Sequence, residues 1–189
     1  MIFIEEIKEG LNIMLHPQTA TMKERSISQS ILFYYKVLAI PFIIYILTVF
    51  IFVGGVIGAF LVGSSLLTFL VLMPIMFFFS AFLYQIFGKL FKLFKGGYNK
   101  TFTAVVYGYM PIIIFLWLDL IPIISFLPII FEIWGFVISI FALSNQQKTS
   151  KLAAFGVILI TSIVIAIIVI TIRLSIINNL PIVPITTKV

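Results

Sequence analysis

The residues able to do chemistry are few and stand apart. His16 is the only histidine and directly precedes Pro17, a place that ends a helix rather than one that runs acid–base chemistry. No cysteine is present, which removes disulfides, thiolate metal sites and thiol nucleophiles together. The chain has no glycine-rich loop followed by Lys-Ser/Thr and no histidine pair or histidine–acid cluster, so neither a phosphate-cradling loop nor a metal or other cofactor is expected. Ser80, Ser139 and Ser162 lie in apolar stretches without a histidine to act as base. Such hydroxyls bond their own helix or tighten helix packing. The chain reads as non-enzymatic.

Three ionisable residues differ from the rest in what surrounds them. Glu132 stands inside an apolar run, where a lone charge costs about 2.5–3.5 kcal/mol at the centre of a membrane helix. It must find a partner, face water or carry a proton. Arg173, at the far end of the last apolar run, is the natural partner because its long stem lets the head reach inward, and Asp119 is placed to share it. Two readings follow: a structural ion pair joining the last two spans, or an ion or proton pathway through Glu132. The ion pair is preferred, since one acid without a chain of polar neighbours is thin support for a conduit.

These residues must be carried by helices in lipid. Apolar residues make up 62% of the chain, and uncharged runs of about 18 or more residues, enough to cross a hydrocarbon core of roughly 30 Å, recur from Ile31 to Ile172. Five spans are expected: Val37 to Val53, Leu66 to Phe87, a pair within Phe102 to Leu143 separated by a tight turn at Asp119 and Pro122, and Leu152 to Ile172. The last is rich in Ile and Val, which favour strands in water. In lipid every backbone group must be satisfied within the segment, and the length demands a helix.

The segments between are equally readable. Thr21-Met22-Lys23-Glu24 has capping-box spacing and predicts a helix entering the first span from near Met22. The uncharged stretch Gly54 to Gly63 predicts an outer segment dipping into the interface, and Gly63-Ser64-Ser65 a break before the second span. Near the N-terminus, Phe3, Ile4, Ile7, Leu11, Met14 and Leu15 recur at helical spacing opposite Glu5, Glu6, Lys8, Glu9 and Asn12. This predicts an amphipathic interfacial helix ended by His16-Pro17, either capping its own protein or docking a partner. The expected fold class is all-α: a polytopic membrane protein with five transmembrane helices plus that N-terminal helix. Its parts are a cytoplasmic segment 1–30, a membrane domain 31–175 and an extracytoplasmic tail 176–189.

Charge orients the spans. Alternate connections carry ten basic residues against two, Arg173 and Lys188, which by the positive-inside rule puts the N-terminus in the cytoplasm and the C-terminus outside. No cleavable signal peptide is expected, because Glu5 and Glu6 follow Ile2-Phe3-Ile4 where a basic region and an apolar stretch would stand. The net charge of +6 does not point to nucleic acid, since the lysines flank helix ends and no basic–aromatic surface accompanies them. Lys89, Lys92, Lys95, Lys100, Lys148 and Lys151 are candidate contacts for anionic lipid headgroups or a partner.

Pro41, Pro74, Pro111, Pro122 and Pro128 recur in or beside the spans. Each frees a carbonyl four residues earlier, which packing or a nearby hydroxyl must then satisfy. Gly54 with Gly58 and Ala104 with Gly108 have the spacing that lets helix backbones approach closely or a dimer form.

One run of features is more specific. Lys95-Gly96-Gly97-Tyr98-Asn99-Lys100-Thr101-Phe102 leads into Val106-Tyr107-Gly108-Tyr109-Met110-Pro111, followed by Ile133-Trp134-Gly135 and the short loop Gln146-Gln147-Lys148-Thr149-Ser150-Lys151. With five spans and a segment ending at Pro17, the order resembles the Yip1 domain family over about residues 10 to 175. The resemblance implies a five-span fold and, from eukaryotic relatives, vesicle transport, association with prenylated small GTPases and with one another, and membrane shaping. The chain departs from those relatives in having neither their long soluble N-terminal region nor their Asp-Leu-Tyr-Gly-Pro signature; Asp119-Leu120-Ile121-Pro122 is not a match. Its shortness and its lysine–isoleucine bias look prokaryotic, and no functional residue carries over.

The function expected first is a non-enzymatic integral membrane scaffold that organises membrane or recruits partners through its cytoplasmic face. The alternative is a small transporter, channel or lipid-moving protein that uses the Glu132 region. Expected partners are membrane lipids and a second copy of the chain or another membrane protein.

Overall fold

The computed structural model describes residues 2–20, 22–121 and 126–179. It contains helices and no strand among the described residues: α1 (Ile2–Leu15), α2 (Ile27–Phe52), α3 (Gly55–Leu67), a π-helical turn (Thr68–Leu72), α4 (Met73–Leu90), α5 (Tyr98–Gly108), α6 (Met110–Phe115), a 3₁₀ turn (Leu116–Leu120), α7 (Leu127–Gln147) and α8 (Lys151–Asn179). Five stretches are long and apolar enough to cross a membrane: Ile27–Phe52, Gly55–Leu90, Tyr98–Leu118, Leu127–Gln147 and Lys151–Ile168.

Two local expectations are corrected. The capping box that opens α2 is Ser26-Ile27-Ser28-Gln29, in which the Gln29 amide donates to Ser26 Oγ at 3.3 Å and the Ser26 amide donates to Gln29 Oε1 at 2.9 Å. Thr21 lies outside the described residues, and Met22 to Arg25 are not helical. Both tetrapeptides have the spacing, but Lys23, Glu24 and Arg25 are drawn into ion pairs that an earlier helix start would pull apart. The second correction is the supposed outer segment. The turn after α2 is confined to Val53 and Gly54, and Gly54 and Gly55 take φ of 62° and 56°, the left-handed region that glycine enters without strain. Helix then runs without interruption through Gly63-Ser64-Ser65, whose hydroxyls bond Leu61 O and the Tyr45 hydroxyl. The continuous Gly55–Leu90 helix has 36 residues. At 1.5 Å per residue it is about 54 Å long, well beyond a core of about 30 Å, so it tilts or extends past the hydrocarbon.

The π turn in that long helix has an identifiable cause. Pro74 has no N–H to give to Leu70 O, and the Met73 amide bonds Thr68 O, one residue further back than in an α-helix. Leu70 O and Phe69 O are thereby freed in the middle of an apolar helix. The Tyr35 hydroxyl donates to Leu70 O at 2.8 Å, and the Tyr34 hydroxyl donates to Phe69 O. Neighbouring hydroxyls thus supply what the proline removed.

α5 is the centre of the bundle, with every residue from Thr101 to Gly108 buried, whereas the other spans leave apolar flanks such as Ile43, Phe60, Phe82, Ile129 and Ile163 exposed. α2 and α5 run parallel, with Ser30 bonded to Thr103 and Phe33 edge-on to Tyr107. α7 runs antiparallel to α5 and meets it backbone to backbone. A Cβ on Gly135 would lie 2.6 Å from Gly108 O, and a Cβ on Gly108 would strike Ser139. Further along, Phe115 stacks on Phe131 at 4.2 Å. α8 closes against α7 through Phe136 and Phe155.

A side chain at Gly135 would have to push a backbone carbonyl aside. Gly135→Leu is expected to cost about 1–3 kcal/mol or more by overpacking and to lower the midpoint of thermal unfolding in detergent or nanodiscs. Gly63→Ala, whose Cβ meets nothing within 4 Å, should leave the midpoint unchanged or raise it; equal losses in the two variants would contradict the close crossing.

Candidate functional site

Two polar constellations interrupt this apolar bundle. The first joins α1 to the core. Glu9 on α1 receives Arg25 in bidentate fashion, Nη1 to Oε1 at 2.9 Å and Nη2 to Oε2 at 3.0 Å, and Lys23 Nζ reaches Oε2 at 3.0 Å. The side chains of Arg25 and Glu9 are only 9% and 10% exposed. Arg25 also donates to the Tyr107 hydroxyl, which shares its own proton between Lys23 O and Glu9 Oε1. The guanidinium lies over the Phe33 ring at 4.2 Å. Burial works against the Glu9 carboxylate, but the hydrogen bonds and charges of Arg25 and Lys23 outweigh it and hold its pKa below the ordinary value of 4.5. Burial likewise opposes the Arg25 charge, and Glu9 outweighs it. A second pair, Glu6 with Lys36 at 2.9 Å, fixes the same helix to α2. At the other end of α1, the Trp134 indole donates to Met14 O at 2.7 Å and so satisfies one of the helix's orphan carbonyls.

The second constellation gathers the interhelical loops at one end of the bundle. Gln147, fully buried at the end of α7, accepts from the Gly96 amide at 2.7 Å and donates to Thr101 Oγ1 at 2.7 Å and Gly97 O at 3.2 Å. Gln85 on α4 donates to Gly96 O and accepts from Thr101. A Cβ at Gly96 would stand 2.8 Å from Gln147 Oε1, so a larger residue would have to displace the amide that closes the loop. The two basic loops are thereby tied together. Lys89, Lys92, Lys95, Lys148 and Lys151 are exposed around this knot, while Lys100 is committed to Glu24 and Lys151 also lies 4.4 Å from the Phe141 ring centre.

Glu132 has a different setting. It lies about 22 Å along the axis of α7 from Gln147 at 1.5 Å per residue, and its carboxylate has no hydrogen bond or ion pair among the described residues. It lines a cavity of about 290 Å³ together with Tyr84, Tyr109, Phe136, Ser139 and Ser162. The cavity sits where the third span breaks: α5 ends at Gly108, Tyr109 is a turn, and α6 restarts with Pro111 in its first turn. The expected partnership of Glu132 with Arg173 and Asp119 falls on side chains outside the described residues.

Sequence reasoning singled out the exposed lysines and Glu132. It placed Glu9 on the polar face of the N-terminal helix and Gln147 in a loop, counted Arg25 only toward the charge bias, and gave Tyr107 and Gln85 no role as site residues. One signal for them was available: two consecutive amides, Gln146 and Gln147, close a membrane-length apolar run, a place where burying polar groups requires partners. No protein-family model, curated protein or solved structure matches the chain.

Glu9 is expected to govern whether α1 stays docked. Because its folded pKa is depressed, its contribution is fully present above 4.5 and is lost as pH falls through the lower folded value. The protection factors of the α1 amides should therefore hold from neutral pH down to about 5 and fall only in stronger acid. Arg25→Ala, which leaves the Glu9 carboxylate with Lys23 and the Tyr107 hydroxyl alone, should cost about 1–3 kcal/mol of docking free energy and expose residues 16–20 to protease at neutral pH. Unchanged protection in that variant would show that apolar packing alone holds α1.

Proposed function

We propose that this chain is a non-enzymatic integral membrane scaffold of Yip1-like type, seated in a prokaryotic cell membrane with its lysine-bearing end in the cytoplasm. That end engages anionic lipid headgroups or a partner on the membrane surface, and α1 serves as the amphipathic interfacial helix beside it. The observation that carries the reading is the single platform made by the two basic loops. Five exposed lysines surround a buried amide knot that holds the loops together.

The backbone supports it too. Lys92 and Lys148 occupy left-handed positions after α4 and α7, with φ of 56° and 51°. Glycine is the usual residue there, and any other side chain costs roughly 1–2 kcal/mol. Retaining a cation at both places is understandable where the charge itself is used, each contributing on the order of 1 kcal/mol near an anionic surface.

A stability–function opposition follows. Lys92→Gly and Lys148→Gly should leave thermal stability unchanged or raise it, yet together weaken the preference for anionic over zwitterionic lipid, about 2 kcal/mol or roughly 30-fold at low salt. Lipid copurification from mixed nanodiscs, read by native mass spectrometry, measures this. An undiminished preference would remove the lipid-binding role of the platform.

The cavity at Glu132 favours a second reading, a small transporter, channel or lipid-moving protein. Liposomes containing the protein should then pass a solute, ion or lipid that Glu132→Gln does not pass. Flux equal to that of empty liposomes over a broad panel would leave the scaffold alone.

A further inference from the structure

The cavity lined by Glu132 has a composition that selects a ligand. Among the described residues its single ionisable carboxylate is Glu132, and no lysine or arginine lines it. Tyr84, Tyr109 and Phe136 are among its lining residues, and aromatic rings attract cations through their quadrupoles. The broken third span adds to the same sign. Gly108 and Tyr109, at the C-terminal end of α5, line the cavity, and a helix C-terminus carries the negative end of the backbone dipole. Ser139 spends its proton on Gly135 O at 2.9 Å, which leaves its oxygen able to accept. Carboxylate, carbonyl ends, hydroxyl oxygen and ring faces are all cation-seeking groups.

Size narrows the class further. A volume of about 290 Å³ is on the order of ten times the roughly 30 Å³ share of one water, so a bare metal ion would leave most of the space to solvent. A cation bearing several carbons fills it and meets the apolar side chains of Ile112 and Ile158 on the same wall. We propose that this cavity is an intramembrane binding site for a small organic monocation of the alkylammonium or quaternary ammonium class. Glu132 supplies the counter-charge, and Tyr84, Tyr109 and Phe136 supply the aromatic faces. The inference uses the same site as the transporter reading but needs binding only, so a saturable site without flux would keep it and remove translocation.

The test uses the full chain in lipid nanodiscs, titrated by calorimetry with tetramethylammonium and with n-butylammonium. Sodium at equal ionic strength and n-butanol, the neutral counterpart, serve as controls. Saturable binding of the ammonium ions is expected, weakened about tenfold or more by Glu132→Gln and severalfold by Phe136→Leu. It should be unaffected by Glu24→Gln at the far loop. A second measurement does not depend on how well the variants fold: a hydrophobic carbodiimide should modify Glu132 in the unaltered protein, mapped by peptide mass spectrometry, and n-butylammonium should slow that modification. Three results would overturn the proposal. They are equal affinity in Glu132→Gln, butanol binding as well as butylammonium, and carbodiimide labelling that follows pH but is indifferent to amines, which would make Glu132 a proton site only.

Discussion

The bundle depends on how closely α5 and α7 approach each other at Gly108 and Gly135. In lipid, apolar surface gives helices no reason to prefer one another over acyl chains, so association rests on tight packing and on interhelical polar contacts. Gly135 lets the carbonyl of Gly108 come within reach of its own backbone, and that proximity brings Phe115 onto Phe131 on one side and Thr101 onto Gln147 on the other. α5 is buried all round from Thr101 to Gly108 as a result. The remaining spans need only one packed flank, and their exposed Ile, Leu and Phe side chains suit hydrocarbon as well as they would suit a core.

The same crossing creates the polar features. Where α5 stops at Gly108 the third span cannot continue as regular helix through Pro111, and the space beside the break becomes the Glu132 cavity. Where α7 ends, Gln147 must satisfy both its donors and its acceptor inside the protein, and it does so by gathering Gly96, Gly97 and Thr101. A buried polar network is stable only when its members are paired. The pairing here has the consequence that two loops from different hairpins form one surface. The Glu9–Arg25–Tyr107 cluster follows the same rule beside α1, where two charges tolerate burial because each is held by the other in bidentate geometry and by further hydrogen bonds.

Proline and hydroxyl placement shows how local sequence and tertiary packing share one task. Pro74 predicts an orphaned carbonyl at Leu70 from covalent structure alone. That the donor is Tyr35, a residue of the preceding span, depends on the register of α2 against the long helix. The capping box makes the opposite point. Thr21 to Glu24 and Ser26 to Gln29 both carry the pattern, and the choice fell to the second because Lys23, Glu24 and Arg25 have partners on α1 and α5 to satisfy.

What the chain alone determined was its solvent and its helices. Runs of apolar residues as long as a bilayer is thick admit one backbone solution, and five such runs were legible because hydrophobicity and length act locally, residue by residue. The end of the bundle that collects lysine was legible for the same reason. Tertiary structure decided everything that needs two distant segments to meet: that Val53 and Gly54 make a two-residue turn rather than a loop, that Glu9 finds Arg25, that Gln147 ties Gly96 to α7, and that Glu132 opens on tyrosines from other spans. Such contacts depend on orientation between helices, which a uniformly apolar surface scarcely encodes. Only rare glycines, prolines and polar side chains break that uniformity, and their partners become known when the packing does.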